Sequence, residues 1–236
     1  MSTPTESTTN FAAISRLLQF TDSTFPVGTF SFSNGLETAG FENMVKDADT
    51  LREFVWSQSL QAAYSDGVAA IHAHRAFLAG DYDGIVEADR MLMLFKMNDE
   101  ARLMLKRMGK KFAELAKRLF SNPLIDRWLE EIKAEKTPGS FPVAQGISYA
   151  AAGVNEADLF VAHQYGVVNM VLSAALRCVK VSHYDTQKIL FDLSERVEGL
   201  YKEASQMELK DMNAFFPELD ILASLHEKGA MRMFMN

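Results

Sequence analysis

The stretch Ala101-Arg102-Leu103-Met104-Leu105-Lys106-Arg107-Met108-Gly109-Lys110-Lys111-Phe112-Ala113-Glu114-Leu115-Ala116-Lys117-Arg118-Leu119 decides the fold. Its apolar positions Met104, Leu105, Met108, Phe112, Leu115, Ala116 and Leu119 advance in three- and four-residue steps, the period of an amphipathic helix. Asn122-Pro123 follows as an N-cap and first-turn proline, opening a second helix with Leu124, Ile125, Trp128, Leu129 and Ile132 on one face.

The same period continues in both directions. Thr50 is a candidate cap for a long helix through Leu51, Phe54, Val55, Ala62 and Ile71 that ends near Gly80. Asp81 or Asp83 can begin the next. Gly153 stands where a glycine would end the helix of Val143 to Ala152, and Asn155 starts its successor. Asp185 is a candidate cap for a helix carrying Ile189, Leu190, Leu193, Val197 and Leu200, and Pro217 precedes a last one. No alternating β-branched run is framed by hairpin turns. These readings predict an all-α protein, a single globular helical domain of about eight to ten helices with short connections. Residues 1–10 read as a frayed tail, 11–228 as the helical body and 229–236 as a C-terminal tail that binds a partner.

A chain of 236 residues with 48% hydrophobic content can bury a full core without disulfides. Its one cysteine, Cys178, lies among Leu176, Val179 and Val181, fits a reducing compartment and reads as a buried thiol. The net charge of −7 gives no reason to expect nucleic acid or an anionic membrane as partner. Met1 to Asn10 lacks the basic and apolar regions of a signal peptide. The segment Tyr165 to Val181 is interrupted by Asn169, Ser173, Arg177 and Lys180 and reads as a buried helix, so a cytoplasmic location is expected.

Catalytic constellations are few. Gly109-Lys110-Lys111 lacks the leading glycine and trailing hydroxyl of a phosphate loop, and no Glu-x-x-His pair or second cysteine exists. His72 and His74, two apart on a helix, point to different faces and read as partly exposed side chains. His163 reads as a satisfied, partly buried residue. Arg102, Lys106 and Lys110 are spaced by four and project together within a basic stripe that also holds Arg107, Lys111, Lys117 and Arg118. That stripe is a solvated face or a docking site for an acidic partner. Two rival classes stay open: a helical small-molecule enzyme using His183, Tyr184 and Asp185, and a helical regulator using the basic face.

The run Leu17 to Glu37, with Phe25-Pro26-Val27-Gly28 and Ser33-Asn34-Gly35-Leu36-Glu37, resembles the N-terminal signature of the UreF family of urease accessory proteins. Physically, Pro26 and Gly28 allow a tight bend, Ser33 or Asn34 can cap the following helix, and Phe25, Phe30 and Phe32 pin the loop or face a partner. Asn98 to Arg102, Phe141-Pro142-Val143-Ala144-Gln145-Gly146, Arg177 through Asp185-Thr186-Gln187-Lys188-Ile189-Leu190, and His226 with the tail Arg232-Met233-Phe234 resemble later family stretches in the same order. Ser140 stands where many members carry histidine, so no metal role falls to it.

The resemblance implies an accessory subunit, not an enzyme. It implies a homodimer that joins a UreD/UreH-type protein, recruits a UreG-type GTPase and docks on apo-urease, with no tightly bound cofactor and nickel handled in transit. On that footing the expected partner-binding residues are Arg232, Phe234, Met233 and His226, with Lys106 and Lys110 of the stripe. His226 and His183 supply nitrogen that nickel accepts, but two lone histidines do not make a site.

Overall fold

The computed structural model describes residues 10–28, 32–213, 216–227 and 233–234, the Glu227 side chain excepted. The described residues contain no strand and form α1 (Phe11–Thr21), α2 (Leu36–Phe41), α3 (Ala48–Ala62), α4 (Val68–Ala79), α5 (Tyr82–Leu94), α6 (Asp99–Leu119), α7 (Pro123–Lys133), α8 (Phe141–Ala151), α9 (Glu156–Cys178), α10 (His183–Ser194), α11 (Val197–Ala204) and α12 (Pro217–Glu227). A single π turn, Ala63–Gly67, joins α3 to α4. The twelve segments are therefore eleven rods, slightly more than expected, because the helix read through Asp185 to Leu200 breaks at Glu195 and Arg196 into α10 and α11.

Most caps fall where the sequence puts them. Asn122 and Asn155 each accept a backbone N–H of the first helical turn, Asp81 accepts from Gly84, and α8 gives way to a left-handed Gly153 at φ +76°; Asn98, not read as a cap from the sequence, caps α6 in the same way. Three differ. The cap of α3 is Asp47, with Thr50 donating to and accepting from it at the third helical position. The cap of α10 is Ser182, with Asp185 as the reciprocal partner. At α2 neither Ser33 nor Asn34 caps: Gly35 holds that position at φ +78° with no side-chain bond.

Helices α4, α6 and α8 form the centre, α8 lying between the other two. Close approach explains two glycines. A Cβ on Gly146 of α8 would stand 2.5 Å from the Ala70 carbonyl oxygen of α4, and one on Gly109 of α6 would stand 2.0 Å from the Gly139 carbonyl oxygen. Phe112, Trp128 and Tyr149 are fully buried in the core these helices share with α1, α5 and α7. Phe25 packs edge-on to Phe112 at 5.1 Å between ring centres and Phe32 is buried, so both pin the N-terminal loop to the core. Phe30 lies outside the described residues.

Helix α9 is long and apolar enough to cross a membrane by length and composition, yet 56% of its most apolar window is buried inside the protein. It runs along α3 and packs on α2, α4, α8, α10 and α11. Its first turn is tied to α4 by a two-pronged Arg75–Glu156 ion pair at 2.6 and 2.8 Å.

Candidate functional site

The two ends of the chain meet at one carboxylate. Glu37 is only 3% exposed; its Oε1 accepts from the Met233 N–H at 2.8 Å, and its Oε2 lies 3.2 Å from the Phe234 N–H and 2.9 Å from His226 Nε2. Burial pushes this carboxyl up, but the bonds from the tail and from His226 outweigh it and hold Glu37 below its usual value. On the other side of the ring, His226 Nδ1 lies 3.1 Å from Glu100 Oε2 of α6. Phe234 is buried among α2, α9 and α12, and the Arg177 guanidinium stands 5.2 Å from its ring centre.

His226 and Phe234, expected partner-binding residues, are both buried in this structure, His226 between two carboxylates and Phe234 in an apolar pocket. Met233, 60% exposed, is the side chain that faces solvent there. Arg232 lies outside the described residues, as do Met231 and Met235. The described part of the tail, Met233–Phe234, here termed the hook, is tied to the body through Glu37.

Lys106 and Lys110 stand as expected, exposed on the outer face of α6 with Arg107 and Lys111. The ion pairs of this helix are those of Arg102 with Asp99 and of Lys117 with Asp126 and Glu130. Among the described residues the four cations between them have no ion-pair partner. Glu100 and Lys106 are six residues apart, about 9 Å of axial rise, so the hook and the basic face share one helix.

The π turn carries the group that sequence reasoning missed. Asp66 sits on it, buried, and pairs with Lys96, also buried, while Ser65 donates to the same carboxylate at 2.8 Å. Burial raises the Asp66 carboxyl, and the Lys96 ammonium more than offsets that and holds it low. His163 of α9 is buried beside them; its Nδ1 bonds Gln145 at 2.8 Å and its Nε2 has no partner. Burial pushes this imidazole down to about 4, against the pull of Asp66. Asp66, Lys96, His163 and Gln145 line a cavity of about 150 Å³ that opens between α6, α8 and α9. Only the extra residue of a π turn, invisible to a 3.6-residue pattern, could have marked this place.

The remaining candidates do not converge. His74, expected to be partly exposed, is buried against the Val154 carbonyl oxygen at 2.9 Å, and half-buried His72 bonds that of Met207. Asp185 is occupied as a cap partner, Tyr184 is 88% exposed, and His183 is exposed beside it, so these three form no acid–base cluster. The Cys178 thiol is half-buried, pushed by burial to about 11, and therefore unreactive. Among the described residues no three His, Cys, Asp or Glu side chains are placed to hold a metal ion. The two carboxylates on His226 bind opposite nitrogens and cannot share one ion with it.

The described residues form an all-α body whose basic helix α6 faces outward, an architecture without a strand or a metal cluster among them. The family model described as UreF matches residues 45–194. The urease accessory protein UreF of Yersinia enterocolitica (serotype O:8 / biotype 1B) is 44% identical over 227 residues, covering 96% of this chain and 100% of that protein. Proteins of the same name from Yersinia pseudotuberculosis and Yersinia pestis match with the same identity and coverage. The chain belongs to the UreF family of urease accessory proteins, which places it in urease maturation as an accessory factor.

Proposed function

We propose that this chain is an adaptor in urease maturation. It holds a UreD/UreH-type accessory protein and a UreG-type GTPase together on apo-urease, as a homodimer in the cytoplasm. Nickel is the cargo of that assembly and passes in transit; no residue of this chain retains it as a resident ion. The hook supports the reading by presenting Met233, an adaptable apolar side chain, on a rigid base made by Glu37 and Phe234.

The observation that carries the proposal is the face of α6. This helix has seven basic residues against three acidic ones in a chain of net charge −7, and its central cations are exposed without ion-pair partners among the described residues. An uncompensated cationic patch attracts an acidic surface. We assign it to the GTPase. The double charge reversal Lys106→Glu and Lys110→Glu should leave the helical circular dichroism intact and slow association with the GTPase by about 10- to 100-fold at low salt. Unchanged affinity by titration calorimetry would remove α6 from the interface.

A further inference from the structure

Helix α3 packs on α9 and α10, and α12 packs on α2 and α6, so α3 and α12 have no broad contact of their own. A groove of about 560 Å³ is bounded by α3, the turn before it, and α12. Its floor is apolar. Val45 and Phe54 form one side, and Leu219 and Leu222, three apart on one face of α12, form the other; all four are buried. Met44, 50% exposed, and half-buried Phe216 add apolar surface nearer the solvent.

The charged residues that line this groove are Asp49, Glu53 and Glu218, with Arg52 as the one cation among them. Arg52 is already engaged: its Nη1 donates to Asp49 at 3.1 Å and its Nη2 stands 3.8 Å from Asp192 of α10. Glu53 and Glu218 are exposed and have no ion-pair partner among the described residues. The groove therefore has a surplus of negative charge around an apolar floor.

That combination selects its occupant. Apolar anchors seated in a floor supply affinity, while charges at a rim supply orientation and rate. Anionic lipid and nucleic acid are repelled by the two free carboxylates. An amphipathic helix with apolar side chains at three- and four-residue spacing, flanked by Lys or Arg, matches both the floor and the rim. The acidic partner assigned to α6 does not, because the charge that draws it to Lys106 and Lys110 is repelled here. Two surfaces of opposite sign on one chain thus sort two partners.

We propose that the groove between α3 and α12 is the docking site for a basic, amphipathic helix of the second accessory protein, the UreD/UreH-type partner. The identity of that partner rests on the adaptor reading; the chemistry of its docking element rests on the groove. Binding of the full-length chain to the UreD/UreH-type protein and to the GTPase, measured as Kd by biolayer interferometry in parent and variants, tests it. The double reversal Glu53→Lys and Glu218→Lys changes two exposed side chains and should keep the helical signal. It should weaken binding of the UreD/UreH-type protein by about 10- to 100-fold at low salt, with the gap narrowing as salt rises, while affinity for the GTPase does not fall. The neutral pair Glu53→Gln and Glu218→Gln should lie between reversal and parent. Undiminished affinity in the reversal overturns the groove, as does an equal loss of both partners. If the reversal loses its helical signal, the neutral pair decides by the same criteria. A reversal that instead dissociates a dimer of this chain, read by light scattering, assigns the groove to a second copy and also overturns the proposal. A parent chain that does not bind the UreD/UreH-type protein removes the adaptor reading itself; a parent and a reversal that bind it equally remove the groove alone.

Discussion

Helix α8 begins without a cap of its own, and Asp89 supplies one from another helix. Ser140 occupies the N-cap position, but its hydroxyl makes no capping bond and has no partner. Instead Asp89 of α5, fully buried, accepts from the Ser140 N–H at 2.8 Å, the Gly139 N–H at 2.7 Å and the Thr137 hydroxyl at 2.7 Å. The positive end of α8 further favours this charge. Replacing Asp89 with Ala strands three buried donors. Bonds to a charged acceptor are worth about 1.5–3 kcal/mol each, and relief of the buried carboxylate's desolvation returns several kcal/mol of that sum. The net loss expected is about 4 kcal/mol, which for a chain of this size lowers Tm by about 8–16 °C. Asp89→Asn keeps one acceptor oxygen but turns an amide toward a donor, so it should fall between parent and Ala. Thermal unfolding followed by circular dichroism at the helical band measures both. A loss in Asp89→Ala below about 1 kcal/mol, or an Asn variant less stable than Ala, would refute capping in trans.

Two further outcomes follow from the π-turn cluster. The folded His163 value of about 4 lies below the ordinary imidazole value, so as pH falls the unfolded chain takes up this proton first. The stability at stake is present above about pH 6.5 and lost toward pH 4, on the order of 3 kcal/mol. His163→Asn keeps an N–H for Gln145 and removes the titration; urea unfolding across that interval should show a shallower acid slope, and equal slopes would disprove the assignment. Lys96→Met leaves Asp66 buried and unpaired, a loss of about 3–5 kcal/mol, while the double variant with Asp66→Asn should recover most of it. Equal stability of single and double variants would show that the pair is not coupled.

The helical frame was legible because periodic apolar positions and asparagine caps are local signals: Asn122 and Asn155 each need only their own first turn. Reciprocal caps were read one residue set out of register, because Asp47 with Thr50 and Ser182 with Asp185 are pairs in which either member has a capping side chain. What sequence reasoning did not reach are the buried polar groups; of these only His74 was read, as partly exposed. Glu37, Glu100, Asp66, Asp89 and His74 are residue types common at surfaces, and partners from 30 to 197 positions away accompany their burial. Phe234 was read as an anchor, which it is, but it is anchored in this chain's own core.

Helix α6 shows why a surface reading of the sequence succeeded for Lys106 and failed for the groups around it. Its inner positions Glu100, Met104, Met108 and Phe112 follow the same four-residue step as its outer positions Arg102, Lys106 and Lys110. Period alone therefore separates the two faces but does not say which polar residue the inner face retains. Glu100 belongs to the inner one because His226 meets it there, and Gly109 because the loop fixed by Asp89 lies where a side chain would be. The inner side of α6 thus meets His226 of α12 at Glu100 and the α8 entrance at Gly109.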